Sequence, residues 1–236
     1  MRSCLIQLLV TAGVIFALLW FGPPFAASWL ATNALNAAGF TGTNTSVEVS
    51  ADLPPRILLG HADTIRLTSS QVGAGDLHAA IIDVTLSDVG LIDRTVGGVN
   101  GTLAGVRVPA PNGDPVTIDA VTLRGSGTSA VATMTVKNAE VESLIESQLQ
   151  AQTGIAGTVT LAAPDAVTVT VEGKSESGKL VVTAGTLQLV PASTSLPTVI
   201  LLAAGGGNPF QLTSVAVGSN TVTLVGTIDL QSLLGL

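Results

Sequence analysis

The chain has 236 residues, 47% of them hydrophobic and only 11% charged, with a formal net charge of −7. That balance excludes a disordered chain, which is charge-rich and poor in apolar residues. It also argues against nucleic acid as a partner: after residue 30, eight cations are scattered singly among sixteen acids, and phosphate binding needs cations in clusters.

Residues 5–21 are apolar except for Gln7 and Thr11, and Arg2 is the only charge before them. This run, from Leu5 through Phe16 and Trp20 to Phe21, reads as a membrane anchor, and an uncleaved anchor is favoured over a cleaved signal peptide. Five of the seven Phe and Trp residues (Phe16, Trp20, Phe21, Phe25, Trp29) lie in the first 30 positions. Trp20, Phe21 and Trp29 fall where an interfacial aromatic belt would lie. With Arg2 inside, the positive-inside rule puts the rest on the outer, extracytoplasmic face of the cell membrane; cleavage would release it as a secreted domain. Cys4 is the only cysteine, so the chain has no internal disulfide and no thiolate metal site.

The expected division is residues 1–30 as anchor or signal peptide, 31–46 as a neck helix and linker, and 47–236 as a β-rich domain. Pro23 and Gly39 bracket the neck helix at about 25–38, and 41–46 reads as a polar linker. Leu53-Pro54-Pro55-Arg56-Ile57-Leu58-Leu59-Gly60 predicts one short apolar helical turn. Strands follow at about 63–68, 77–87, 101–108, 116–124, 130–136, 158–162, 166–172, 180–190, 211–217 and 221–230. They are rich in Val and Thr and separated by turn clusters such as Ser175-Glu176-Ser177-Gly178. One helix interrupts them at 139–152, with Asn138 as N-cap and Gly154 as its end. Its apolar stripe is Val141, Leu144, Ile145 and Leu149; Glu142, Glu146 and Gln150 form the opposite, polar face. The run at 196–204 has no polar face and reads either as a buried helix or as a segment lining an apolar groove.

Chemistry is sparse. There is no Gly-x-Ser-x-Gly elbow and no phosphate-binding glycine loop. His61 and His78 stand alone, and Asp83, Asp88 and Asp93 read as a solvated face rather than a calcium loop. No catalytic residue, metal or cofactor is expected, and the chain is not read as an enzyme. An aliphatic groove needs no diagnostic polar group to hold an acyl chain. Its candidate contacts are Ile57, Leu58 and Leu59; Val141, Leu144, Ile145 and Leu149; and Val199, Ile200 and Leu202.

The segments Ile57-Leu58-Leu59-Gly60, 63–68, Gly75-Asp76-Leu77-His78-Ala79-Ala80, Ile81-Ile82-Asp83-Val84-Thr85-Leu86, the helix at 140–150 and Pro209-Phe210-Gln211-Leu212-Thr213-Ser214-Val215-Ala216-Val217 are similar in order and pattern to the LmeA-like phospholipid-binding family of actinobacterial envelope proteins. The resemblance spans about residues 45–230. It implies an α+β fold in which a long curved antiparallel β-sheet wraps around one or two helices, with an N-terminal membrane-anchor helix. That arrangement resembles one half of the tubular lipid-binding proteins of the bactericidal/permeability-increasing type. It implies phospholipid as the partner, with the membrane engaged through the N-terminal segment. The alternative is a non-enzymatic structural or interaction β-domain of the cell envelope; any protein partner is left open.

Overall fold

The computed structural model describes residues 24–33, 40–74, 77–93, 95–109, 115–202 and 210–229. The predicted anchor with Leu5, Phe16, Trp20 and Phe21, the second half of the neck (34–39) and Gly205–Gly207 lie outside them. Among the described residues no helix is long and apolar enough to cross a membrane.

The described chain is sheet-dominated α+β. Residues 24–33 form helix α1, and Pro54–Leu59 form a 3₁₀ helix between β1 (Thr41–Ser50) and β2 (His61–Ala74). Strands β3 (Leu77–Gly90), β4 (Thr95–Pro109), β5 (Pro115–Ser126) and β6 (Ser129–Lys137) follow as a meander, and α2 (Asn138–Thr153) comes next. Then come β7 (Thr158–Ala162), β8 (Ala166–Val171), β9 (Lys174–Thr183), β10 (Thr186–Pro191), β11 (Val199–Leu202), β12 (Phe210–Val217) and β13 (Thr221–Asp229). Two antiparallel sheets result, with orders β1-β2-β3-β4-β5-β6-β13-β12 and β11-β10-β9-β8-β7.

The long strands obey the period-2 alternation of a sheet packed on one side only. Val47, Val49, Ile65, Leu67, Val84, Leu86, Leu103, Val121 and Leu123 share the inner face, buried or half-buried, while Glu48, Arg66, Thr102, Thr122 and Arg124 are exposed on the other. The alternation slips along a crease through the middle of the sheet. Gln71 has φ 51° and Gly105 φ 58°; Ser69 is buried before Gln71 and Val72 after it, and Ala79 and Ile82 are both buried around exposed Ile81. Such irregularities re-aim side chains and bend strands. At Gly105 a Cβ would stand 3.0 Å from that of Ala80, so the crease needs both the positive φ and the missing side chain.

Four sheet edges would otherwise present free backbone groups, a template for mispairing. Each carries a cover. On β1, Val49 N donates to Ser28 Oγ of α1 (3.1 Å); on β12, Val217 N donates to Pro164 O in the β7–β8 turn (2.6 Å). Helix α2 lies against both edges of the five-stranded sheet. Val159 N and Leu161 N of β7 donate to Glu146 Oε1 and Glu142 Oε1, each at 2.8 Å. On β11, Ile200 N donates to Gln152 Oε1 (3.2 Å), and Gln152 Nε2 donates to Ile200 O (2.7 Å). The five-stranded sheet is thus curled so that one helix closes it like an extra strand.

Several expectations are corrected here. Residues 41–46 are not a linker: they begin β1, paired with β2. The stretch 180–190 is two strands, separated by a turn in which Ala184 (φ 50°) and Gly185 (φ 78°) take the left-handed conformation. Ser175-Glu176-Ser177-Gly178 lies within β9, after a tighter turn at Glu172-Gly173. Lys137 is the N-cap of α2; Asn138 is already helical and its Nδ2 donates to Gly218 O and Ser219 O instead. Glu142 and Glu146 are not a solvated face, because β7 uses their carboxylates. The open choice at 196–204 resolves for Val199–Leu202 as the edge strand β11.

Candidate functional site

Three of the predicted contacts, Ile57, Leu58 and Leu59, stand apart from the other seven. Val141, Ile145 and Leu149 of α2 and Val199 of β11 belong to the main core with Leu180, Leu189 and Leu201; Ile145, Leu149 and Val199 are 0% exposed. Leu144 is half-buried, and Ile200 and Leu202 point outward in the alternation of β11. The α2 stripe and β11 therefore meet in dry packing rather than across an open groove.

Ile57 and Leu58 instead line an apolar groove of about 440 Å³ at the opposite end of the molecule. One wall is α1, with Ala26, Ala27, Leu30 and Ala31; the other is the 3₁₀ helix and Leu91 of the β3–β4 turn; Val49 and Ile65 of β1 and β2 form the floor. Its size falls within the usual range of ligand pockets, roughly 300–1,000 Å³. Val49 and Ile57 are buried in a small satellite core with Val47, Ala62 and Val89, against which Ala27, Ala31, Ile65, Leu67 and Leu86 pack.

Local sequence explains this geometry. Pro54 and Pro55 preset the first turn of the 3₁₀ helix, and Gly60 ends it at φ 78°, its N–H donating to Ile57 O at 2.9 Å. Leu91 N donates to Gly60 O at 2.7 Å, bringing the β3–β4 turn against the helix. Ile92 packs over Gly60, occupying the space a Cβ there would need. A charged cluster pins the base. Asp63 accepts from Asp52 N at 2.5 Å and from Arg56 Nη1 at 3.4 Å, and His61 Nε2 lies 3.1 Å from Asp63 Oδ1 and 3.5 Å from Asp88 Oδ1. The Asp52 N–H foremost, then His61 and Arg56, hold the Asp63 carboxyl below the usual carboxylate range.

Two other concavities are more polar. The crease holds one of about 330 Å³ lined by Gln71, His78, Arg107 and Thr117, among others. On the outer face, Arg66 and Asp83 line another, joined by a two-pronged ion pair (3.0 and 2.9 Å) that keeps the Asp83 carboxyl acidic. Among the described residues no group of three or more His, Cys, Asp or Glu side chains is arranged to hold a metal ion.

The groove residues that the sequence did not single out are Ala26, Ala27, Leu30, Ala31, Val49, Ile65 and Leu91. Residues 24–33 are helical as expected for the first part of the neck helix at 25–38; what the sequence did not indicate is that this helix walls a groove. Compared with known protein families, characterised proteins and solved structures, the chain matches none.

Proposed function

We propose that this chain is a membrane-tethered, extracytoplasmic envelope protein that binds an acyl chain of phospholipid, or a similar apolar ligand, in the groove between α1 and the 3₁₀ helix. The observation that carries this reading is the groove itself: about 440 Å³, formed almost wholly by Ala, Leu, Ile and Val side chains and open to solvent. Burying about ten methylenes there would yield roughly 8 kcal/mol before the costs of association, which run from about 4 to 15 kcal/mol. That places a single acyl chain near the threshold of useful affinity, and the rest of a lipid would strengthen it. The long creased antiparallel sheet supports the same reading, because the resembled lipid-binding family is expected to carry such a sheet. No side chains are assigned a catalytic role.

The test is native mass spectrometry of the full chain released from phospholipid nanodiscs, with lipid extraction, beside the Ala26→Phe variant. Ala26 is exposed and lines the groove, so Phe plugs it without disturbing the core. A retained lipid mass that Ala26→Phe loses supports the proposal; a ligand-free chain, or lipid retained equally by both, overturns it. A second reading, a structural or interaction β-domain, is favoured by the dry packing of α2 on the five-stranded sheet. It predicts the ligand-free result.

A further inference from the structure

Helix α1 is amphipathic in the inverted sense. A surface helix normally turns its large apolar residues to the core and its polar ones to water. The residues of α1 that face the sheet are small or polar: Ala27 and Ala31 pack on the satellite core, and Ser28 Oγ accepts from Val49 N at 3.1 Å. Phe25, Trp29 and Leu30 point away, at 76%, 62% and 60% exposure. Separate segments add to the same end: Leu59 of the 3₁₀ helix is 77% exposed and Ile92 of the β3–β4 turn 73%. Scattered exposed apolar residues are ordinary, but five large ones on three segments that meet at one end mark a candidate interaction surface.

We infer that this end of the domain seats in the interfacial layer of the membrane, with Phe25, Trp29, Leu30, Leu59 and Ile92 in contact with lipid. The occupant is a lipid surface because of what adjoins the patch in the chain. The apolar run at 5–21 ends three residues before Pro24, the first described residue of α1, and it carries aromatic residues toward that end, as a membrane–water boundary does. The charge around the patch selects the kind of surface. Asp52, Asp63, Asp88 and Asp93 outnumber Arg56 and Arg94, the residue next to Asp93 in the sequence, so anionic headgroups repel this end and zwitterionic ones do not. The inference deepens the proposed function and rests on its membrane tether, but not on an occupied groove.

The experiment uses the full chain in a Cys4→Ser background, reconstituted into phosphatidylcholine vesicles. Single cysteines replace Leu59, Ile92 or Ser219, the last exposed in the β12–β13 turn at the far end, and each is labelled with a solvatochromic thiol probe. Seating predicts blue-shifted emission at 59 and 92, and quenching by lipid-borne nitroxides several-fold greater than at 219. Phosphatidylglycerol added at low salt should weaken that quenching. Probes at 59 and 92 quenched no more than at 219 would overturn the inference. So would probes shielded from water but untouched by lipid nitroxides, since a second copy or residues 5–21 would then be the cover. Repeating the measurement with Ala26→Phe separates the two ideas: quenching persists if only ligand binding fails.

Discussion

The two ends of the molecule bury apolar surface in opposite ways. Around α2 and the five-stranded sheet, the large side chains point inward, the core is dry, and Glu142, Glu146 and Gln152 close both sheet edges. Around α1 and the 3₁₀ helix the inward residues are mostly small, the floor is a thin satellite core, and the largest apolar side chains face out. The first arrangement is what water alone demands of a helix on a sheet. The second leaves large apolar side chains facing water, which makes it the more informative about function.

The largest effect expected from breaking this contrast is in the dry end. Leu149→Ala removes a fully buried side chain from α2 and should cost about 2–5 kcal/mol in denaturant unfolding, whereas Leu59→Ala should stay within about 0.5 kcal/mol. Equal costs would mean that the two ends are not built differently. Next in size is Gln152→Ala, which strips both partners from Ile200 and should destabilise by about 1–3 kcal/mol. Amide exchange at Ile200 and its β11 neighbours should accelerate while β2–β5 stay protected.

Much of the dry end was legible in the sequence. The stripe Val141, Leu144, Ile145, Leu149 stands at helical spacing, and Val-Thr alternation marks the strands closely enough that β7 falls where expected. The double role of α2 was not legible, because Glu142 and Glu146 look like a solvated face until distant β7 arrives to use them. The break at Ala184-Gly185 was hidden because only one of its residues is glycine; the strand ending at 172 was expected, but the louder Ser175–Gly178 cluster put the start of the next strand at 180 instead of Lys174. At the other end Ile57 and Leu58 were expected as contacts and line the groove, but their groove partners come from four separate segments. Only Leu30 and Leu91 among those partners are large and clearly out of place in the sequence; the alanines and the strand residues Val49 and Ile65 read as ordinary core.

A smaller effect is expected with pH. The folded Asp63 carboxyl sits below its ordinary value near 4, so its contribution is complete above that value and is lost as pH falls through the lower folded one. Acidification below about pH 4 should therefore loosen the link between the 3₁₀ helix and β2, visible as faster exchange at Asp52 N, and Asp63→Asn should remove that pH dependence. Smallest is Arg66→Ala on the exposed outer face. Its ion pair with Asp83 is solvent-screened, so the change should leave the denaturant midpoint almost unmoved and lipid behaviour untouched.

The contrast between the two ends is tested most directly by mapping where lipid tails touch the chain. Full-length protein in phosphatidylcholine vesicles doped with a diazirine-bearing acyl chain would be photolysed, digested and sequenced by mass spectrometry. The account predicts crosslinks within residues 25–31, at Leu53, Leu58 and Leu59, and at Leu91 and Ile92, with none on α2 or β7 to β11. Crosslinks concentrated on Val141, Ile145, Leu149 or Val199, or spread evenly over the domain, would contradict it.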